Sequence, residues 1–165
     1  MRILPRVLLL LMIPSLTFCE PLKTLRGRPL NCELDIPASW KIATDEGYKI
    51  IATGDGLGIQ LGSLQQNLGD PSATLQTAKQ MAAKGDPNAQ IGEPTPITID
   101  GRKWLQFTVM TGSGTDALKY LTYTYSGSEG TYVIEGCAMA NQFEAKRALL
   151  ARYMNTFRFP KKVAH

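Results

Sequence analysis

Ile97-Thr98-Ile99-Asp100-Gly101-Arg102-Lys103-Trp104-Leu105-Gln106-Phe107-Thr108-Val109-Met110 is the stretch on which the fold turns. Asp100-Gly101 stands between two apolar runs. The central residues of a tight hairpin turn need positive φ, which this dipeptide supplies. In the second run Leu105, Phe107 and Val109 recur at period two and make one apolar face, with Trp104 on the other. Residues 118–125 come after the glycine-containing loop at 112–115, and residues 131–139 come after Gly127 and Gly130. Connections this short predict antiparallel neighbours in one meander.

The same reading extends upstream. Residues 20–31 hold Pro21, Lys23, Arg26, Arg28 and Pro29 without a period and read as an extended leader, with order beginning at Cys32. Cys32, Leu34 and Ile36 alternate with Glu33 and Asp35 as in a half-buried strand. Pro37-Ala38-Ser39 then turns the chain into Trp40. Residues 48–53 and 57–61 are two further strands, joined across Gly54-Asp55-Gly56. The period then changes: Asp70 can cap a helix that starts at Pro71, carries Leu75, Ala78 and Ala82 on one face and stops at Gly85, over residues 71–84. Pro87, Pro94 and Pro96 mark the connection back to the meander.

A second helix closes the domain. Asn141 and Glu144 have the spacing of an N-terminal capping pair. Phe143, Leu150, Met154 and Phe157 form the expected buried stripe, with Lys146, Arg147 and Arg152 toward water and an end near Arg158, before Pro160. The expected organisation is a single domain over residues 32–159, with a flexible tail at 160–165.

The first nineteen residues have the layout of an export signal: Arg2 and Arg6, an apolar run over 7–13, then Pro14, Ser15 and Thr17 before Cys19. The apolar stretch falls short of the roughly 20 residues of a bilayer-spanning helix. Cleavage after Cys19 leaves a mature chain starting at Glu20. Leu16-Thr17-Phe18-Cys19 also resembles a lipoprotein box, in which Cys19 would be lipid-anchored, although Phe18 replaces the small residue expected before the cysteine. Without Arg2 and Arg6, the 18 basic residues become 16 against 14 acidic ones, a net charge of +2. That balance points to neither nucleic acid nor a strongly acidic partner.

Cys32 and Cys137 remain as an even pair in an oxidising compartment. They are a disulfide candidate; two separate buried thiols are the other reading. The only histidine is the terminal His165, a poor base for a Ser-His or Cys-His nucleophile. Two distant cysteines do not make a zinc site. Gly54, Gly56 and Gly58 lack the remainder of a nucleotide loop. Asp45, Glu46, Asp55 and Asp70 lack the alternation of a calcium loop. The expectation is no cofactor and no metal. Tyr120, Tyr123, Tyr125 and Tyr132 concentrate in the last two strands, where aromatics serve sheet packing or recognition. Trp104 and Tyr120 are the candidates for a binding surface.

The order of elements and several residues resemble the PsbP, Mog1 and DcrB-like superfamily over residues 32–159. The carriers are Leu34-Asp35-Ile36-Pro37-Ala38-Ser39-Trp40, the helix after the first hairpin, the Ile99-Asp100-Gly101 turn, and Asn155-Thr156-Phe157-Arg158-Phe159 at the close. The resemblance implies an α+β fold, an α/β/α sandwich with a central antiparallel sheet and helices on both faces. It implies no shared active site and transfers no functional residue, and the superfamily's cytoplasmic roles conflict with an export signal. The functional expectation is a periplasmic or secreted, non-enzymatic domain that binds another envelope or secreted protein. The alternatives are a small hydrolase using carboxylates or a Ser-Lys pair, and a toxin-neutralising immunity protein.

Overall fold

A computed structural model of the chain describes residues 20–27, 30–45, 49–64 and 68–160. The residues read as an export signal, Cys19 among them, and Glu46 and His165 lie outside the described residues. The described residues form an α+β domain, mostly antiparallel sheet with two α-helices. Its elements are β1 (Leu22–Gly27), β2 (Cys32–Pro37), β3 (Lys41–Asp45), β4 (Lys49–Gly54), β5 (Leu57–Leu64), α1 (Pro71–Gly85), β6 (Gln90–Ile91), β7 (Thr95–Ile99), β8 (Arg102–Thr111), β9 (Leu118–Gly127), β10 (Gly130–Met139) and α2 (Ala140–Met154). The main sheet runs β3-β4-β5-β10-β9-β8-β6, with β7 also on β8, and β1-β2 form a separate ribbon.

Both Asp-Gly turns form as their chemistry requires. Asp55 and Gly56 have φ of 53° and 69°, and Asp100 and Gly101 have φ of 49° and 72°. β8, β9 and β10 are ten residues each. In the register, Leu121 stands beside Gly136 and Tyr123 beside Ile134, so these side chains share one face. Phe143, Leu150, Tyr153 and Met154 of α2 are buried. At Gly136 α2 packs tightly on β10: a Cβ there would lie 2.7 Å from Met154 Sδ and 3.0 Å from Leu150 Cδ2. Trp104, Tyr125, Tyr132, Phe157 and Phe159 fill one end of this core with ring centroids 4.9–6.4 Å apart.

Four expectations are corrected. Leu22–Gly27, read as leader, forms β1 in antiparallel register with β2. Leu25 is buried there, and Lys23 Nζ donates to the carbonyls of Ala38 at 2.9 Å and Trp40 at 2.6 Å. β3 follows Trp40, where the sequence leads to no expected element, and the short β6 lies in the proline-rich connection; β3 forms a hairpin with β4, and β6 reaches across to β8. At α2 the N-cap is Met139, without a side-chain cap, because β10 runs directly into the helix and places Asn141 inside the first turn. Ala140 N–H instead donates to the Ala117 carbonyl at 2.8 Å, and Glu144 pairs with Lys119 at 2.7 Å. Finally, the helix ends at Met154. Phe157 lies beyond it, on a segment that pairs Arg158 with Glu33 through backbone bonds of 2.8 and 3.0 Å.

Candidate functional site

The site begins with the composition of α1. Asp70 caps it, its carboxylate accepting from Ser72 N–H at 2.8 Å, and Pro71 opens it. The rest of the helix is rich in Ala, Gln, Lys and Gly, and Thr74 is its only fully buried side chain among the described residues. Small residues lack the volume to fill the space between helix and sheet. A cavity of about 570 Å³ remains, walled by Ala78, Met81, Ala82 and Gly85 of α1 and floored by residues of β5, β8, β9 and β10. Volumes of roughly 300–1,000 Å³ are typical of ligand-binding clefts.

The strand register explains the floor. Val109 stands beside Tyr120, Glu135 beside Gln60, and Val133 beside Gly62. Apolar Val109 and Val133 therefore alternate with a polar set on the same surface. Gln60 Nε2 donates to the Glu135 carboxylate. Burial raises the Tyr120 phenol above its usual 10, and the negative field of Glu135 adds to that, while a hydrogen bond with Thr111 opposes it. Burial also raises the neighbouring Cys137 thiol, again with a contribution from Glu135. At the rim, the Asp86 carboxylate accepts from Gly112 N–H and Asn88 N–H, each at 2.8 Å, which holds its pKa below the usual carboxylate value. The lining thus includes two carboxylates, Glu135 and Asp86. Beside Glu135 on the floor, the hydroxyl of Thr122 is buried without a hydrogen-bond partner, and so is that of Thr124 one row further on.

A second polar cluster, at the β9–β10 turn, is structural. Glu129 accepts from Arg102 Nε at 2.8 Å and from Tyr125 Oη at 2.6 Å. These bonds, Arg102 first, bring the Glu129 carboxyl from the usual 4.5 to about 2. Asp55 and Asp70, weighed as ion ligands, are placed apart: Asp55 accepts from Trp40 Nε1 at 3.3 Å, and Asp70 caps α1. Among the described residues no group of three His, Cys, Asp or Glu gathers to hold a metal ion, and no helix is long and apolar enough to cross a membrane.

Of the two aromatic candidates, Tyr120 lines the cavity. Trp104 does not belong to a surface. It is 1 % exposed, its ring 5.0 Å from Tyr125 and 4.9 Å from Phe157, because period two turns it into the core. The candidate bridge is corrected as well: Cys32 and Cys137 are both free thiols. Cys137 lies opposite Gly58 and Tyr120, whereas Cys32, its pKa pushed up by burial to about 12, lies close enough to Tyr132 for its charge to be felt there. Tyr132 and Cys137 are five residues apart on β10 and so point to opposite faces, with the sheet between them. Gln60, Glu135, Asp86 and Met81 do not stand out as site residues in the sequence. Gln60 in Leu57–Leu64 and Glu135 in Gly130–Met139 each interrupt an apolar strand, a signal that marks both.

No protein-family model matches the chain, and no curated protein matches it. Solved structures do. Cyanobacterial PsbP from Synechocystis is 11 % identical with a TM-score of 0.61, over 84 % of this chain and 92 % of that one. A protein of unknown function from Pseudomonas aeruginosa is 13 % identical with a TM-score of 0.53, over 86 % and 99 %. A protein from Bacteroides thetaiotaomicron is 10 % identical with a TM-score of 0.50, over 87 % of this chain and 49 % of that one. At such identities the shared property is the fold, and the fold of this chain is similar to that of cyanobacterial PsbP and of the Pseudomonas protein.

Proposed function

We propose that the chain is an exported, non-enzymatic domain that binds another protein of the cell envelope, using the cavity beside α1. The observation that carries this reading is the make-up of that cavity. It is concave and largely apolar, and a few polar groups fix orientation, as binding clefts generally do. Its two carboxylates are engaged in hydrogen bonds, Glu135 with Gln60 and Asp86 with backbone N–H groups. Carboxylates so used serve recognition better than proton transfer. Export rests on Arg2, Arg6 and the apolar run before Cys19, and the mature domain is periplasmic or secreted.

The architecture that supports this function is an α/β/α sandwich. Support comes from β10, where Gly136 meets α2 while Val133 and Glu135, of the opposite parity, line the cavity with α1. In that arrangement α2 secures the core and α1 is the loosely filled layer, free to act as one wall of a binding cleft.

The test is recovery of a partner from the envelope of the source organism with a tagged mature chain. The expected result is a protein enriched reproducibly with the wild-type chain and lost with Met81→Asp, which places a charge at the cavity mouth. Repeated recovery of nothing above the tag-only control overturns the reading. So does turnover of an ester, amide or glycoside by the purified chain that disappears with Glu135→Gln.

A further inference from the structure

The helix over the cavity is held unevenly along its length, and that decides how the cavity is entered. We propose that α1 pivots about its first half, so that residues 79–85 act as a lid that lifts from the sheet to admit the partner and is latched when closed by Asp86 on the Gly112 N–H. The lid rests on the reading that this cavity is where the partner binds.

Among its described side chains, α1 gives none to the main hydrophobic core. Its first half is fixed nonetheless. Thr74 is fully buried, and just before the helix Leu68 N–H donates to Thr131 Oγ1 at 3.1 Å, a hydroxyl bonded in turn to Ser126 Oγ at 2.9 Å. The second half differs. No residue from 80 to 85 is buried, and Ala78, Met81, Ala82 and Gly85 overlie the void. An element with so few buried apolar contacts opens at low free energy. The helix then ends on the latch: Asp86 Oδ2 accepts from Gly112 N–H at 2.8 Å, while Oδ1 accepts from Asn88 N–H at 2.8 Å and shapes the turn. Beyond that turn, Gln90–Ile91 pairs with β8 and Gly92 N–H donates to the Thr108 carbonyl at 2.8 Å, which limits the lid's travel.

The closed state also carries a cost that opening relieves. Thr122 and Thr124 are on the same side of β9 as the cavity-lining Tyr120, are 1 % exposed, and have hydroxyls without a hydrogen-bond partner. They stand between the two fixed points, since Ser126 pairs with Thr131 toward one end of β9 and Leu118 with Thr111 at the other. A buried hydroxyl without a partner forfeits the hydrogen bonds it makes in water. Thr122 adjoins Tyr120 on its own strand and Glu135 on the next, both of the cavity floor, so a raised lid lets water or a polar group of the partner approach it.

The experiment uses Val109→Cys in the mature chain, because Val109 lines the cavity and is only 4 % exposed. Its modification by a soluble thiol reagent is followed site by site with mass spectrometry. A lid predicts a labelling rate that stays flat as urea rises through the range where the domain remains folded, since lifting a helix exposes little surface. Adding Asp86→Ala removes the latch and should raise the rate at least about threefold, as expected for the loss of one hydrogen bond. Amide exchange over Leu75–Met81 should stay as it was, because the helix moves without melting. Ala82→Leu gives the lid an apolar anchor in the void and should slow labelling. Asp86→Asn, which keeps one acceptor oxygen, is the second unlatching variant if Asp86→Ala does not fold, and it should also quicken labelling. Labelling that climbs with urea as steeply as global unfolding overturns the lid. So does an unchanged rate in the unlatched chain, or amide exchange over Leu75–Met81 that quickens together with labelling, which would make the event local melting. None of these measurements needs a partner, so the lid can fail while an envelope protein is still recovered, and recovery can fail while the lid stands.

Discussion

Single residues carry much of the stability of this domain through what they leave out or hold in place. At Gly136 the absent side chain is the contact surface for α2, since a Cβ would lie 2.7 Å from Met154 Sδ. Forcing volume into a filled core strains its neighbours. Gly136→Ala is expected to destabilise the domain by about 1–3 kcal/mol in urea melts, although Ala suits a strand better than Gly in conformational entropy. Glu129 acts through charge. Its pKa falls from 4.5 to about 2 on folding, first through Arg102 and then through Tyr125. A carboxyl with a lowered folded-state pKa adds stability above its unfolded value, and that stability is lost as pH falls from about 4.5 toward 2. Melting temperature should therefore drop across this window in the wild type and drop less in Glu129→Gln, which has no carboxyl to titrate. An equally steep drop in the variant would assign the acid loss to other carboxyls, Asp35 on Arg158 among them.

At the scale of elements, the two helices start for different reasons, and stability should reveal it. Asp70 caps α1 with its own carboxylate, so Asp70→Ala should cost about 1 kcal/mol. Asn141 matches the same capping pattern in sequence but sits inside α2, where the Ala140 N–H is met by the Ala117 carbonyl. Asn141→Ala should change the unfolding free energy from urea melts by less than about 0.5 kcal/mol, the range of ordinary surface changes. This contrast also explains what was legible. Turns and strands whose cause is local could be read directly: Asp55-Gly56, Asp100-Gly101, the alternation of Leu105, Phe107 and Val109, and the Asp70-Pro71 start. β1 and β3 are each one arm of a hairpin, with β2 and β4, whose connections carry no Asp-Gly pair to announce them, and the two-residue β6 depends on the edge of β8 already in place. Of the candidate site, Tyr120 was within reach because aromatics are informative on strands. The cavity itself was not. It exists because α1 turns small residues such as Ala78, Ala82 and Gly85 toward the sheet, and scattered alanines read only as a good helix until the sheet beneath it is known.

At the scale of the whole molecule, the domain is closed by its final residues and not by a covalent bridge. With Cys32 and Cys137 free, the connection between the two ends of the fold falls to the segment after α2. There Arg158 holds Glu33 at 2.9 Å and Asp35 at 2.9 Å, and Thr156 Oγ1 accepts from Asp35 N–H at 2.8 Å. Phe157 is the centre of this closure. It is 1 % exposed and packs against Trp104, Tyr132 and Phe159, so it links β8, β10 and the chain's end in one aromatic cluster. Removing a buried phenylalanine costs about 3–5 kcal/mol, a large share of the roughly 5–15 kcal/mol that holds a domain of this kind together. Arg158 is partly exposed, and its ion pairs count for less than the ring beside them. Phe157→Ala should therefore lower the unfolding free energy far more than Arg158→Ala, with hydrogen exchange accelerating first in β1 and β2, which the segment joins to the rest. Comparable losses from the two substitutions would show instead that polar closure, not the aromatic cluster, ties the β1-β2 ribbon to the domain.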